Sequence, residues 1–462
     1  MMKYLPHLIA TLLLTVYTAA YGGLKEANKA YKNGDYALAL KEYGPLAADG
    51  NARAQFGLGK MYDEGKGARQ DLRLAVIWYR KAAEQGHALA QFNLGQLYRD
   101  GRGIRKSPAE AAEWLRKSAL QGIVPAQFAL ARMYGKGQGV PRDPNEAALW
   151  YRKAAEHADA QEQFNLGQLY VQGKEVPRDY KEAAIWYRKS ADQGEVRAQY
   201  ALGDMYNGGR GVAQDYKEAA AWYRKAAEQG NAPARRALAA MYASGHGGDK
   251  NSREAAQWYR KEAEHGNATM QATMGNIYAE GKGVPRDEKK AAQWYRKAAE
   301  RGNVAAQLKL GVMYANGQGV PQDYSAAVSW YRKAAEKGDP VAQNNLGVKY
   351  FNGQGTPQDH KEAATWYRKA AEQGNAAAQL NLGLVYMQGE GVPVDLIQAH
   401  KWLNLAAATG DKTAQQNRAV AESKMTPLQI EMAQALAQRW RDQHNGAASP
   451  RAAQAAAQTV EE

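Results

Sequence analysis

The chain has 462 residues, more than one ordinary hydrophobic core organises, and holds 46 Gly, 28 Tyr, 11 Trp, 5 Phe and no Cys. The missing cysteines exclude a disulfide framework, a thiolate metal site, a cysteine nucleophile and a lipid-modified N-terminal cysteine. With 61 Lys and Arg against 47 Asp and Glu, the formal charge is +14, which suits nucleic acid, an anionic surface, an acidic partner or simply a solvated exterior.

The N-terminus differs from the rest. Residues 1–3 make a short basic start, residues 8–20 (LIATLLLTVYTAA) are apolar, and Ala19, Ala20, Gly22 and Gly23 are small. The apolar run is too short for a bilayer, which takes about 20 residues. It reads as a secretory signal over residues 1–22, cleaved near 20–23, and predicts an exported protein, periplasmic or secreted, with no transmembrane segment after cleavage. A buried first helix is the other reading.

Residues 23–50 read as a short capping hairpin turning at Asn33-Gly34-Asp35. Residues 51–410 then repeat with a strict period of 36. Trp recurs at ten positions from Trp78 to Trp402, Tyr from Tyr62 to Tyr386, and Ala from Ala75 to Ala399 and from Ala83 to Ala407, without insertion or deletion. In each unit Ala54, Leu58, Met61 and Tyr62 share one face of a first helix. A loop with two glycines follows (Gly65, Gly67), and Asp71 opens a second helix carrying Ala75, Trp78, Tyr79, Ala82 and Ala83 on one face. All ten residues in the Asp71 register are good N-caps, and Glu or Gln three residues later (Glu110, Glu146, Glu182, Glu218, Glu254, Glu362, Gln398) predicts capping boxes. Gly86 ends the second helix, and Ala158 is the one exception in its register. Gly59 and Ala75 sit where the two helices close, with Trp78 and Tyr62 filling the space beside them. No hairpin buries its apolar face alone, so the units must stack. Residues 411–444 continue with another first helix and a last helix opened by Thr426-Pro427-x-Gln429. The Ala-rich tail, 445–462, reads as disordered.

No catalytic constellation stands out. The eight His (His7, His87, His157, His246, His265, His360, His400, His444) share no ligand spacing, so no metal and no cofactor is expected. The Gly-x-Gly loops lack the preceding strand of a dinucleotide site. The pair Arg80-Lys81 recurs in nine units. Glu84, four residues on, has counterparts in most of them, which predicts i,i+4 ion pairs and a solvated face in place of a nucleic-acid stripe.

The stretch AQYALGDMYNGGRGVAQDYKEAAAWYRKAAEQG, residues 198–230, resembles the Sel-one-like repeat, a relative of the tetratricopeptide repeat, and the likeness extends over nearly all of residues 24–440. It implies an all-α fold: a right-handed α-solenoid of helix-turn-helix repeats with a concave inner surface. It also implies a non-catalytic scaffold or adaptor that binds protein or peptide ligands, among them envelope, peptidoglycan-associated or host proteins. By the same analogy a cell-wall-acting enzyme, inhibitor or peptidoglycan-binding protein is the alternative. In the tetratricopeptide relatives the register of Phe56, the next one and the one four beyond line the groove. Carried over, these registers hold Phe56, Phe92, Phe128, Phe164 and Tyr200, then Asn93, Asn165, Asn345 and Asn381, then Lys60 and Arg132 together with Gln96, Gln168 and Asn276. The Phe rings either line that groove or seal adjacent first helices. Departures cluster at two places: Ala158, Glu162 and Glu175 in the first, Arg236, Met270 and Ala272 in the second. Both are expected to bend the array or to carry a special surface.

Overall fold

The structure, a computed structural model, describes residues 23–246 and 251–445. The expected signal, 1–22, lies outside them. So does the expected tail apart from Asn445, the last residue of a helix. All regular structure among the described residues is helical. Helix α1 covers residues 23–32 and α2 covers Tyr36–Ala48. Ten hairpins follow, from α3 (Ala52–Glu64) with α4 (Leu72–Glu84) to α21 (Ala376–Gln388) with α22 (Leu396–Ala407). Helices α23 (Lys412–Glu422) and α24 (Pro427–Asn445) close the described chain. The chain divides into two compact units, Met1–Ala234 and Arg235–Glu462. Within each unit the hairpins stack in chain order, as in an α-solenoid. No helix among the described residues is long and apolar enough to cross a membrane.

All ten expected N-caps of the second helices form, as at Asp71, whose carboxylate accepts from the N–H groups of Arg73 and Leu74. The capping boxes, however, are only half made. The N–H of each cap donates to the carbonyl of the repeated tyrosine nine residues back, Asp71 to Tyr62 at 3.0 Å and so on through Asp395 to Tyr386. That bond closes the loop, and it uses the donor that a box would direct to the Glu or Gln side chain. In the last helix the box does form: Thr426 N–H donates to Gln429 Oε1 at 2.9 Å and Gln429 N–H to Thr426 Oγ1 at 3.3 Å.

The expected i,i+4 pairs of the basic dipeptide are also replaced. Arg80 donates to the hydroxyl of Tyr98 in the next hairpin, and Arg260, Arg296, Arg332 and Arg368 repeat this with Tyr278, Tyr314, Tyr350 and Tyr386. Lys81 lies over the Trp78 ring, 4.5 Å from its centroid, and the arrangement recurs through Lys369 on Trp366 at 4.0 Å. A guanidinium thus ties one hairpin to the next, and an ammonium covers an indole that five of the ten units leave partly exposed.

A buried glutamine register does similar work. Gln55 donates from Nε2 to the Ala47 carbonyl at 3.1 Å and accepts at Oε1 from Gln85 at 2.7 Å, so it ends the preceding helix and joins it to the following one. For Gln127, Gln271 and Gln307 the residue 30 positions on is not Gln, and Oε1 has no partner. At one position Arg235 stands in this register, and Glu262 stands where other units have Ala or Ser. Both are buried, 6% and 4% exposed, and pair at 2.8 Å, with Arg236 on the second carboxylate oxygen at 3.0 Å.

Two stability tests follow from this packing. A Cβ on Gly211 (φ 74°) would stand 2.0 Å from the Tyr180 carbonyl oxygen, whereas one on Gly230 (φ 94°) meets nothing within 4 Å. Gly230→Ala is expected to cost about 1–2 kcal/mol for the left-handed backbone. Gly211→Ala is expected to cost about 1–3 kcal/mol more for the clash, as read by urea denaturation. Glu262→Ala strands the Arg235 charge and is expected to cost about 3–5 kcal/mol. Adding Arg235→Gln, which restores the repeat pattern, should recover most of that loss in the same assay.

Candidate functional site

Three departures from the repeat fall within 18 residues of one another, and together they open the first unit. Helix α8 (Pro144–Ala155) lacks a C′ glycine, because Ala158 occupies that place, and no non-glycine residue among the described ones takes a positive φ. The left-handed cap is therefore not made. Helix α8 is one residue shorter than α4, and the Ala158 N–H to Ala155 carbonyl bond stretches to 3.4 Å, against 3.0 Å for Gly86 to Ala83. Glu162, in the first turn of α9 (Ala160–Gln172), holds the place of Ala54, which is 0% exposed. A carboxylate does not fit such a slot dry, and α9 packs on α8 more loosely than α5 (Ala88–Asp100) packs on α4. Glu175 replaces the second loop glycine.

Between α5, α7 (Val124–Lys136) and α9 lies a cavity of about 640 Å³. Its apolar wall includes Phe92, Phe128, Met133 and Leu166. At the end near the helix C-termini, Glu175 accepts from the Tyr151 hydroxyl at 2.6 Å and pairs with Lys136 at 3.5 Å. Burial, and then Glu175, push the Tyr151 phenol well above its ordinary value, while the neighbouring Arg132 guanidinium works against that rise. Arg142 donates to the Lys174 and Gly135 carbonyls at 2.9 and 3.1 Å, which fixes the Glu175 loop in the absence of its glycine. Arg99 is held by Asp100 through two bonds of 2.8 and 3.0 Å. Glu162 stands at the other end, and its carboxyl is raised above the usual range by burial and then by Asp159. No group of three or more His, Asp or Glu that would hold a metal gathers among the described residues.

The residues singled out from the sequence do not converge on one place. Phe92, Phe128, Arg132 and Asn165 line the cavity, together with Gln96 and Gln168. Phe164 is 5% exposed, packs on Tyr187 at 5.5 Å and is covered by Arg197. Three other rings of its register behave alike: Phe56 packs on Tyr79, Phe128 on Tyr151 and Tyr200 on Tyr223, whereas Phe92 has Leu115 in the tyrosine's place. In these four hairpins the aromatic seal thus forms inside the hairpin, against its second helix. Phe56 also stacks on His87 at 4.6 Å. Asn93 and Asn345 hydrogen-bond the Tyr79 and Tyr331 hydroxyls, and Asn381 donates to Asn344 at 3.0 Å. Lys60 lies over the Tyr31 ring at 4.7 Å. Asn165 faces the cavity, its Oδ1 accepting from Gln161 Nε2 at 2.9 Å, because Tyr151 turns to Glu175 instead. Glu162 and Glu175 were visible in the sequence as breaks in the period, but nothing in the pattern placed them in the same cavity wall.

Ten consecutive segments match the model of the Sel1 repeat: 52–87, 88–123, 124–159, 163–195, 196–231, 232–267, 270–303, 304–339, 340–375 and 376–411. Among solved structures the chain is similar to c5321, a protective antigen present in uropathogenic Escherichia coli strains displaying an SLR fold. The identity is 37%, the TM-score is 0.55, and 94% of each chain is covered. It is also similar to a Sel1 repeat protein from Oxalobacter formigenes, at 34% identity over 67% of this chain and 92% of that one, with a TM-score of 0.49. A comparison with the curated proteins finds no match. With its repeats matched end to end and a solved relative aligned over nearly its whole length, the chain belongs to the Sel1 repeat family, whose members are in general scaffolds for protein interaction.

Proposed function

We propose that this chain is an exported, non-catalytic scaffold that takes an extended segment of a partner protein into the cavity between α5, α7 and α9. The cavity itself carries the proposal. Its 640 Å³ falls within the range of ordinary ligand sites, which run from about 300 to 1,000 Å³, and it joins an apolar wall to a larger set of polar and charged groups. It lies where the repeat is interrupted, so its chemistry differs from that of every other hairpin junction in the same unit. First helices line it, and these are the helices that carry peptide grooves in tetratricopeptide proteins. Gln168 and the Nδ2 of Asn165, whose Oδ1 is taken by Gln161, present amide groups suited to the backbone of an extended peptide. The apolar run at residues 8–20 supports export, and so does the relative that is a protective antigen.

Two measurements test this. Panning a random-hexapeptide library on the purified protein is expected to enrich a family of sequences, and Asn165→Trp, which fills the cavity from an exposed position, should abolish the enrichment without lowering the melting temperature. Equal enrichment on the variant removes the cavity assignment. In a bacterial host, the full chain is expected in the periplasmic or extracellular fraction, shortened by about 20–23 residues at its N-terminus as small-residue cleavage requires. Intact-mass analysis of a full-length cytoplasmic product overturns export.

A further inference from the structure

Five charged residues line the cavity: Arg99, Arg132, Lys136, Glu162 and Glu175. Four of them are engaged. Arg99 is taken by Asp100, Lys136 by Glu175, Glu175 also by the Tyr151 hydroxyl, and Arg132 lies beside that hydroxyl. Glu162 is the exception. Its backbone N–H donates to Asp159 Oδ1, and no hydrogen bond or ion pair of its carboxylate is found among the described residues. Its register is Ala in eight of the other nine units and Met270 in the ninth. Structure alone therefore asks for a small apolar residue there. This carboxylate disrupts the packing of α9 on α8 and gains no internal partner in return.

We infer that the cavity is selective for a peptide segment that sets a lysine or arginine side chain against Glu162. The inference rests on the peptide-binding reading above and adds the charge of the occupant. Arg132 adds a positive charge at the Tyr151 end, beside a neutral hydroxyl, but at the Glu162 end the unpartnered charge is negative, so a cation complements it there and an acidic segment does not. A lysine or arginine also brings an aliphatic stem, which matches the apolar wall of Phe92, Phe128 and Leu166 and lets a cation lie against an aromatic face. The chain as a whole carries +14 and repels cations at long range. The preference therefore has to arise in the contact and to survive added salt better than a surface attraction does. Because burial and Asp159 hold the Glu162 carboxyl above its ordinary value, the preference fades as pH falls through that raised value, at a higher pH than for an ordinary glutamate.

The test is a comparison of hexapeptide panning on the wild-type protein and on Glu162→Gln, which keeps the cavity's volume and removes its charge. On the wild type one position of the enriched sequences is expected to be Lys or Arg, and on Glu162→Gln that position should lose its basic preference while the apolar positions persist. For the best enriched peptide, replacing the basic residue by norleucine should weaken wild-type binding about tenfold or more, the size of a charge-assisted hydrogen bond, and should leave binding to Glu162→Gln unchanged. Enrichment without a basic position, or a basic position retained on Glu162→Gln, overturns the inference and leaves the peptide site standing. No enrichment on the wild type overturns both. Glu162→Ala, which restores the repeat residue, shows by its melting temperature whether the carboxylate is held at a cost in stability, and an increase is expected.

Discussion

A helix can close on a tyrosine ring only where the residue facing the ring carries no Cβ, or only a methyl group. At Gly203 a Cβ would stand 2.6 Å from the Tyr223 ring, and Gly167, Gly275 and Gly311 face Tyr187, Tyr295 and Tyr331 in the same way. This close approach decides what else happens in a hairpin. It buries the ring and pushes the hydroxyl out at the far edge, where a buried donor must find an acceptor. Tyr43 finds Asn28, Tyr223 finds Asp204 and Tyr295 finds Asn276, at 2.6–2.7 Å. The acceptors differ from unit to unit, so one fixed packing contact leads to a variable polar position.

The candidate site is one outcome of that freedom. Tyr151 gives its hydroxyl to Glu175, a loop residue, and so needs nothing from Asn165. Asn93, in the corresponding place, is consumed by Tyr79. A single change of acceptor thus converts a structural amide into a cavity-lining one. In the second unit the departures take the opposite course. Arg235, Arg236 and Glu262 satisfy one another, and the cavity near Tyr259 and Asn276 is about half as large, 320 Å³.

The period of 36 made the helices, their caps and their buried alanines legible, because a residue that recurs at every turn of the array must serve the array. Hydrogen-bond partners were less legible, for a specific reason. Helical periodicity says which residues share a face, and so it favours acceptors three or four residues away. Arg80 had Glu84 at that distance, yet it reaches Tyr98, 18 residues on. The caps had Glu or Gln three residues on, yet their N–H groups go to the tyrosine carbonyl nine residues back. Nothing in the helical period marks Gln55, and only the stacked hairpins show that it bridges two helices. The Phe56 register varies from unit to unit, and at Phe56, Phe128, Phe164 and Tyr200 its rings pack on Tyr79 and its equivalents, partners that lie in the other helix of the hairpin.

A stacked array also explains why such an opening is tolerated. Each hairpin contacts only its neighbours, so a weakened junction is a local loss and does not spread through the whole chain. A lost C′ glycine, a carboxylate in an alanine slot and a loop without its second glycine would be hard to accommodate in one shared core. Here they fall between α7 and α9, where the bond from Arg142 to the Lys174 carbonyl and the contacts of Lys136 and Tyr151 with Glu175 restore part of the loss. The strict repeat and the cavity are then two sides of one arrangement: nearly invariant packing elsewhere in the unit keeps the hairpins stacked, and that security lets one junction hold residues that packing alone would reject.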